Sequence, residues 1–448
     1  MLTIDRRGSS DFSGIFNQAA TGSSGSAGSI NVTVNGTAAI VNGGGIGSDT
    51  YSSGNAGIVR LAAGNLSIDG QGRNGFTGIS SFAVPGSSGS AGDIELMVGR
   101  AASIVDGGQI SSSTYSSGKA GSVRLIAGSL SIDRRGSAIN TGIFELANPG
   151  STGSAGNIEV MVGDAASIVN GGEINSSTYS SGTAGPVRLP AGSRSMAKRG
   201  STNGTGIANQ AVAGSSGSAG NIDVAVNGAA FIVNGGLISS NTYSSGSAGN
   251  VKLSAGTLAI DGGPNTVGTG ISAEAAAGSS GQTGGVSVTA TEEIVFSNGG
   301  GVSIANGAVL EDPGRVAPTA VSVNAPNVVF RSRGVITASS TGNVAASNIL
   351  LTFTDRLQLD HSAIGTIAIA GNGGAIRIQG GNLMVLDDSW VTTSVLGPSG
   401  NGGDIGVKAD VLVMNTGFIQ ANTAALAASG GNVSIDVGAL IPSGNTLA

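Results

Sequence analysis

The sequence contains no cysteine, one histidine and one tryptophan among its 448 residues. Without cysteine, the chain has no disulfide framework and no thiolate chemistry. Because His361 is the only histidine, a histidine metal cluster is excluded, and a Ser-His-Asp site would have to include it. Aromatic residues make up 3% and charged residues 10% of the chain. A core is therefore expected to consist mainly of Val, Ile, Leu and Ala.

Features of nucleic-acid-binding and membrane-spanning proteins are also missing. The formal net charge of −6 does not suggest a nucleic-acid partner. No apolar run approaches the roughly 20 residues needed to span a bilayer, so no transmembrane segment is predicted. The stretch LTIDRR at residues 2–7 leads into glycine and serine, which does not resemble a signal peptide. No cofactor and no metal site are expected.

Glycine and an internal repeat are what the sequence has instead. The chain contains 80 glycines and 10 prolines without the collagen period of three, and its 39% apolar content argues against disorder. The string TYSSG recurs every 64 residues and holds all four tyrosines: Tyr51, Tyr115, Tyr179 and Tyr243. A glycine in the string SAG keeps the same period at Gly28, Gly92, Gly156 and Gly220. Such self-similarity indicates a repeat architecture.

Within each repeat, apolar residues alternate with polar ones, as in Ile30, Val32 and Val34. This period of two is typical of strands with one buried face, and the short runs end in Asn-Gly or Asp-Gly turns. Helix signals are nearly absent. The pattern predicts an all-β fold, a right-handed parallel β-helix (solenoid) with three short strands per coil.

Aligning the repeat with itself superposes Ile30 on Val59, so each 64-residue unit holds two coils, of 29 and 35 residues. Extending this register predicts about fourteen coils, whose inward anchors are Ile30, Val59, Ile94, Val123, Ile158, Val187, Ile222, Val251, Val286, Val321, Ile349, Ile376, Ile405 and Val433. Residues 1–284 are expected to form regular coils, and residues 285–448 irregular coils that continue the same solenoid. Because Leu2 aligns with Leu130 inside a repeat, the chain is expected to be a segment of a longer rod or to start inside a longer reading frame.

The same register predicts a ladder of alternating charge on the outer face. The outward residues are Arg60, Glu95, Arg124, Glu159, Arg188, Asp223 and Lys252. Opposite charges on adjacent strands contribute about 0.2–1 kcal/mol each, and exposed pairs lie near the lower limit. The ladder is therefore expected to fix the register of the strands more than to stabilise them.

One core column is interrupted. Leucine occupies it at Leu2, Leu66, Leu130 and Leu258, whereas the third repeat has Arg194. An unpaired guanidinium is costly in an apolar core. We therefore expect a local bulge or a rotated strand at residues 190–199.

The string SAGNIEVMVGDAASIVNGGEINSSTYSSGTAG at residues 154–185 resembles passenger rods of the filamentous haemagglutinin type, which the two-partner route secretes. The resemblance extends over residues 2–440. It implies export to the bacterial cell surface or the medium, as part of a longer precursor, through an outer-membrane transporter barrel. It also implies adhesion to glycans or proteins of host or neighbouring cells. The amino-terminal secretion domain of that family has no counterpart in this sequence.

Two sets of residues are candidate binding features. The tyrosines Tyr51, Tyr115, Tyr179 and Tyr243 would stack on sugar rings, or else each would fold over its own glycine-rich loop, which is the favoured interpretation. The basic residues Arg134, Arg135, Lys198 and Arg199, which share a turn with Arg6 and Arg7, would attract anionic glycans. For the basic set, a solvated turn is the favoured interpretation.

A polysaccharide-cleaving enzyme is the main alternative function, since many parallel β-helices have this activity and paired carboxylates supply a general acid and base. The candidates are Asp387 and Asp388, with Asp355, Asp360, His361 and Arg377 within reach of them. However, the basic IRIQ at residues 376–379 precedes LDDSW at 386–390, the reverse of the polygalacturonase order. We therefore predict strand-end turn aspartates, a core or turn role for Trp390 and no enzymatic activity. A spacer without a ligand is the third possibility.

Overall fold

The computed structural model describes residues 1–7, 13–197, 204–264 and 268–443. Within these ranges the regular structure is parallel β-strand, apart from a 3-10 turn at Pro313–Arg315. The chain divides into two compact units, Met1–Asn227 with Ser244–Gly246, and Gly228–Tyr243 with Ser247–Ala448. Each unit is a parallel β-solenoid.

The strands of the first unit are β1 (Leu2–Asp5), β2 (Ser13–Ala19), β3 (Ile30–Val41), β4 (Gly44–Thr50), β5 (Val59–Asp69), β6 (Thr77–Ala83), β7 (Ile94–Val105), β8 (Gly108–Thr114), β9 (Val123–Asp133), β10 (Thr141–Ala147), β11 (Ile158–Val169), β12 (Gly172–Thr178), β13 (Val187–Ala197), β14 (Thr205–Ala211) and β15 (Ile222–Val226).

The strands of the second unit are β16 (Ala229–Val233), β17 (Gly236–Thr242), β18 (Val251–Asp261), β19 (Gly270–Ala275), β20 (Val286–Ser297), β21 (Gly301–Asn306), β22 (Ala320–Asn324), β23 (Asn327–Arg331), β24 (Val335–Ser340), β25 (Asn348–Phe353), β26 (Arg356–Asp360), β27 (Ala363–Ala368), β28 (Ile376–Gly380), β29 (Leu383–Asp387), β30 (Trp390–Val395), β31 (Ile405–Asn415), β32 (Phe418–Thr423) and β33 (Val433–Ser443).

A full turn of the solenoid consists of three strand segments. The first and second segments belong to one parallel sheet and the third to another. In β3 the first two segments are continuous, with a register shift against β5 between Val34 and Thr37, whereas β22, β23 and β24 are three separate strands. Among the described residues, each unit has seven third-segment strands. The predictions of three strands per coil and about fourteen coils are thus confirmed.

The predicted register is confirmed in both units. In the first unit the opposed anchors are Ile30 and Val59, Val59 and Ile94, Ile94 and Val123, Val123 and Ile158, Ile158 and Val187, and Val187 and Ile222. In the second unit they are Val251 and Val286, Val286 and Val321, Val321 and Ile349, Ile349 and Ile376, Ile376 and Ile405, and Ile405 and Val433. A slip of one residue would turn every one of these side chains to solvent.

The core of each unit is a stack of aliphatic columns. Ile40, Ile68 and Ile104 lie one above another in the first unit and are fully buried. In the second unit Phe296 and Phe330 continue such a column, and their rings stack with centroids 4.7 Å apart. Full burial of one such side chain contributes about 1.5–3 kcal/mol, and the column repeats it at every turn.

Close contact between successive loops explains the recurring SAG glycine and also its counterpart one turn further on, Gly121 in the string KAG. A Cβ atom on Gly121 would lie 2.2 Å from the carbonyl oxygen of Gly92, which no side chain tolerates. Beneath these loops, the inward hydroxyl of Ser112 donates to the Gly92 carbonyl and accepts from the Gly121 amide, at 2.9 Å in both cases. The inward polar position of the third segment therefore ties two successive glycine loops together.

Arg194 does not leave the core column. It lies opposite Ala166, which lies opposite Leu130 on its other side, so its register matches that of the leucines. Its side chain is buried, with Nη2 donating to the sulfur of Met196 at 3.2 Å, and Nε and Nη1 have no hydrogen-bond partner among the described residues. Burial lowers the pKa of Arg194 to about 9.

The prediction of a rotated strand is therefore wrong for residues 190–197, and the register shift that does occur there, between Ala191 and Ser193, does not depend on Arg194; Lys198 and Arg199 lie outside the described residues. The register shift of β13 against β11 falls between segments, where the other turns have one as well. Hydrogen bonding of β13 to its neighbour over both segments outweighs the cost of burying one guanidinium.

Candidate functional site

The TYSSG string builds the same loop in successive repeats. After β8, the hydroxyl of Thr114 donates to the Gly118 carbonyl at 2.6 Å and accepts from the Ser116 amide at 3.1 Å. The Ser116 hydroxyl accepts from the Gly118 amide at 3.0 Å and donates to the Gly89 carbonyl of the preceding turn at 3.2 Å. Threonine and serine in this string are thus needed to close the loop and to attach it to its neighbour.

Each tyrosine stands directly after the threonine that ends a third segment. Tyr51, Tyr115 and Tyr179 of the first unit are 38–39% exposed, and Tyr243 of the second unit is 41% exposed. The amide of Tyr115 donates to the Ala83 carbonyl at 2.7 Å, which holds the residue against the preceding turn. A similar ring position is therefore presented once per 64-residue repeat.

The ring of Tyr115 packs partly on the sheet. It meets the ring of Phe82 edge to face, with centroids 6.4 Å apart, and burial raises the pKa of its phenol. Burial also raises the pKa of Tyr243, with a smaller effect from the nearby Glu274. Tyr115 thus combines a packed side with an exposed side, so packing on the preceding turn and contacting a ligand are compatible roles for the same residue.

The two described members of the basic set differ in their accessibility. Arg134 is buried, and its guanidinium donates to the carbonyls of Ser137 and Ala138 at 2.7 and 2.9 Å, so it closes its own turn. The Arg135 side chain is 56% exposed, and its Nε lies 3.8 Å from Asp133. Arg135 is therefore the described residue of this set that presents its charge to solvent.

Several of the carboxy-terminal candidates come together at the turn between second and third segments. His361 and Asp388 both have a positive φ, 47° and 44°, at equivalent positions of successive coils. Nδ1 of His361 lies 2.5 Å from an Asp360 oxygen, and Nε2 lies 3.2 Å from an Asp388 oxygen. The hydrogen bond to Asp360, helped by the charges of Asp360, Asp388 and Asp387, raises the pKa of His361.

This group, Asp360, His361, Asp387 and Asp388, lies on an open surface. The side chains of His361 and Asp388 are 65% and 58% exposed. Among the described residues, no group of three or more His, Cys, Asp or Glu is arranged to hold a metal ion. The arrangement suits exchange of protons with solvent and hydrogen bonding to a polar ligand.

The remaining candidates lie elsewhere on the turn. Arg377 is on the first segment β28, where it lines a shallow depression with Lys408 and Asp436. Asp355 stands between β25 and β26, and its amide donates to the Pro326 carbonyl at 3.0 Å. Arg377 and Asp355 thus lie on different faces of the solenoid from His361.

An exposed aromatic pair in the second unit was not anticipated. Trp390 opposes Phe418 at the start of two successive third segments, and their rings stack with centroids 6.1 Å apart and planes 15° apart. The side chains lie on the outer face and are 44% and 47% exposed. Of the expected core or turn role of Trp390, the core part is wrong, whereas the ring does pack, on Phe418 just after a turn. The available signal was the 28-residue spacing of the two aromatics, which equals the spacing of the anchors Ile405 and Val433.

Comparison of the chain with models of protein families, with curated proteins and with solved structures found no match. Within the described ranges, no helix has the length and apolar character needed to cross a membrane. The chain is therefore classified by its fold alone, as a parallel β-solenoid repeat protein.

Proposed function

We propose that this chain is a structural rod of a bacterial surface or secreted adhesin of the filamentous haemagglutinin type. It binds glycans or proteins of other cell surfaces through many weak contacts and has no enzymatic activity. The observation that carries the proposal is the recurrence of a partly exposed tyrosine on the same loop of every 64-residue repeat.

The spacing of the tyrosines suits multivalent binding. Tyr51, Tyr115 and Tyr179 stand two turns apart, and strands stack at about 4.8 Å, so neighbouring rings are separated by about 9–10 Å along the first unit. A partly exposed aromatic face stacks on the apolar face of a sugar ring. Linked weak sites raise overall affinity by about 10²–10⁴ over a single site when one ligand reaches them together.

The pair Trp390 and Phe418 supports the same function in the second unit. Two stacked and exposed rings offer a wider apolar platform than a single tyrosine. Asp388, two residues before Trp390, supplies a hydrogen-bond acceptor next to it. Aromatic stacking with flanking polar groups is a suitable combination for a neutral or weakly basic glycan.

The test is binding to mammalian and bacterial cells by a chain in which Tyr51, Tyr115, Tyr179 and Tyr243 are all changed to alanine. A matched chain with four phenylalanines keeps the rings and removes the hydroxyls. We expect the alanine chain to lose at least about tenfold in apparent affinity, as loss of avidity requires, and the phenylalanine chain to retain most of its binding. A second variant replaces Arg134, Arg135, Lys198 and Arg199 by alanine.

Two outcomes bear against adhesion. If the alanine chain and the basic-residue variant both bind cells as well as the parent, neither set contributes and the adhesion proposal fails. If the parent itself binds no cell type, the chain is a spacer without a ligand. Circular dichroism of each variant ensures that a loss of binding does not arise from unfolding.

The proposal includes export of the chain, as part of a longer precursor, through an outer-membrane transporter barrel of the two-partner system. An immunoblot of cytosol, envelope and medium from the producing organism tests it. A band well above the 42.9 kDa of this chain in envelope or medium is expected. A band at the mass of the chain confined to the cytosol would contradict both export and adhesion.

Polysaccharide cleavage is the second candidate, and the contact of His361 with Asp360 and Asp388 is the observation that favours it. It predicts release of reducing ends from a polysaccharide and loss of that activity in Asp388→Asn. We favour adhesion because the side chains of His361 and Asp388 lie on an open surface, whereas ligand and active sites are usually concave pockets that enclose the substrate.

A further inference from the structure

Six charged side chains form a ladder on the outer face of the first unit. They occupy the same outward position of successive first segments: Arg60, Glu95, Arg124, Glu159, Arg188 and Asp223. Two ion pairs within the ladder join Arg60 to Glu95 at 2.7 Å and Arg124 to Glu159 at 3.0 Å. With strands about 4.8 Å apart, the six positions extend over about 24 Å.

The two ion pairs leave the side chains of the ladder partly exposed to solvent. The four side chains in the two ion pairs are 43–52% exposed. Exposed pairs of this kind contribute little to stability, with a median of about 0–1 kcal/mol. Each carboxylate and guanidinium retains hydrogen-bonding capacity on the side that faces away from the sheet.

An apolar column runs beside the ladder, two residues further along each strand. Its members are Ala62, Met97, Ile126, Met161, Pro190 and Ala225. Met97 is 62% exposed, and with Ile126 it lines a shallow depression that also includes Arg60, Glu95 and Arg124. Methionine and arginine, both exposed on this face, are enriched at protein interfaces relative to the rest of a protein surface.

We infer that this face binds the same face of a second copy of the chain, with the two solenoids antiparallel. The two copies are related by a two-fold axis that lies in the interface and runs perpendicular to the stacking direction. Each column of one copy then faces the same column of the other copy, with the order of its residues reversed. The signs along the ladder read plus, minus, plus, minus, plus, minus from Arg60 to Asp223. In the opposing copy the order of the signs is reversed and reads minus, plus, minus, plus, minus, plus. All six ladder positions therefore meet an opposite charge.

The axis passes between Arg124 and Glu159, and each residue then has one defined partner. In the second copy, Arg60 meets Asp223, Glu95 meets Arg188, and Arg124 meets Glu159, each pair occurring twice. In the apolar column Ile126 meets Met161, Met97 meets Pro190 and Ala62 meets Ala225. Strand spacing is equal in the two copies, so one matched pair brings the others into register.

Parallel association does not fit this ladder. A two-fold axis along the stacking direction places every charge opposite its own copy, which costs several kcal/mol in repulsion. A parallel contact shifted by one turn pairs opposite charges, but it is heterologous and does not close. The antiparallel dimer is the closed arrangement that gives all six ladder positions of the first unit an opposite charge, and it presents the tyrosine loops of two chains in one particle.

The test uses charge reversal at the pair Glu95 and Arg188, with sedimentation velocity as the readout. The parent chain is expected to dimerise at low salt and to dissociate as salt rises. Glu95→Arg and Arg188→Glu each place two like-charge contacts in a homodimer, so each is expected to raise the dissociation constant at least about tenfold. In an equimolar mixture of the two variants, the heterodimer has opposite charges at both contacts and is expected to form as the parent dimer does.

The mixture separates contacts between chains from contacts within the chain. Mixing does not restore the ladder contacts within either variant chain. Recovery of the dimer in the mixture can therefore arise only from contacts across the interface. Arg331→Glu, an exposed reversal in β23, is the matched control and is expected to leave the dissociation constant unchanged. A monomeric parent, a dimer insensitive to Glu95→Arg, or a mixture that stays monomeric would each overturn the proposal.

Orientation is tested by crosslinking, which the absence of cysteine makes specific. With a short bis-maleimide reagent, Ala62→Cys chains are expected to crosslink to Ala225→Cys chains and not to each other. Self-crosslinking of Ala62→Cys without crosslinking to Ala225→Cys would indicate parallel chains and overturn the antiparallel arrangement.

Discussion

Glu145 of β10 lies directly opposite Ser176 of β12, at the inward polar position of the third segment. Ser176 donates to the Gly156 carbonyl at 3.3 Å and accepts from the Gly185 amide at 3.1 Å. Glu145 places a fully buried carboxyl at the equivalent point of the preceding turn. Burial raises the pKa of Glu145 well above its ordinary value, and the nearby backbone of Ser112 and Gly156 offsets only part of this effect.

Stability is therefore expected to fall with rising pH because of Glu145. The folded chain keeps the proton at a pH where the unfolded chain, with a pKa near 4.5, has lost it, so the unfolded state gains relative stability as pH rises. The loss of stability caused by Glu145 is absent below about pH 4.5 and grows with pH until the carboxyl of the folded chain ionises. Urea midpoints of the parent and Glu145→Gln from pH 4 to pH 8 measure it.

As pH rises, the urea midpoint of Glu145→Gln is expected to exceed that of the parent by a growing margin. Glu292→Gln, at an exposed corner of the second unit, is the matched control and is expected to follow the parent at every pH. A constant gap between the parent and Glu145→Gln would mean that Glu145 titrates in the folded chain as it does in the unfolded one.

Replacement of Arg194 by leucine is expected to stabilise the chain. The change restores the residue that occupies this column in other repeats and removes a buried guanidinium with two unpartnered nitrogens. An uncompensated buried charge costs about 3–5 kcal/mol, so a gain of about 3 kcal/mol in the free energy of unfolding is expected, measured by urea denaturation. Arg100→Leu, at an exposed position, is expected to stay within about 0.5 kcal/mol of the parent. Equal midpoints for the parent and Arg194→Leu would contradict this account.

The advantage of Arg194→Leu is expected to shrink in alkaline solution. The pKa of Arg194 is about 9 in the folded chain against an ordinary 12.5, so between these values the unfolded state binds more protons and the stability of the parent rises with pH. Each pH unit within that window is worth about 1.4 kcal/mol. Urea midpoints at pH 8 and pH 10.5 are the measurement, and an undiminished gap would show that Arg194 keeps its proton in the folded chain.

The fold was predictable because several sequence signals repeat with one period. Alternation of apolar residues placed Ile30 opposite Val59, and the same alternation then located the strands of both units, including the less regularly spaced coils after residue 285. Register in a buried sheet is strongly specified, since a slip reverses the two faces. The alternating signs from Arg60 to Asp223 provided an independent check of that register.

The departures from the sequence-based predictions have separate physical causes. Arg194 stays in the core because β13 is hydrogen-bonded to its neighbour on both sides of the position, and one side chain does not reverse that register. Trp390 is exposed because it falls at an outward position, although a lone tryptophan is by default assigned to a core. Which residues gather around His361 depends on which turns of the chain stack on one another. Spacing along the sequence alone did not show that Arg377 lies apart from this group.

Alanine at Gly121 is expected to destabilise the first unit, whereas alanine at Gly25 is expected to be tolerated. The two glycines stand in similar serine-rich strings, but a Cβ on Gly121 would lie 2.2 Å from the Gly92 carbonyl oxygen, and one on Gly25 has no atom within 4 Å. Forcing a carbon into a packed contact costs about 1–3 kcal/mol. The clash also breaks the hydrogen bonds of Ser112 to both loops, so protection of the Gly121 amide from hydrogen exchange should fall. Equal urea midpoints for the two variants would show that close stacking of the loops is not what requires glycine at position 121.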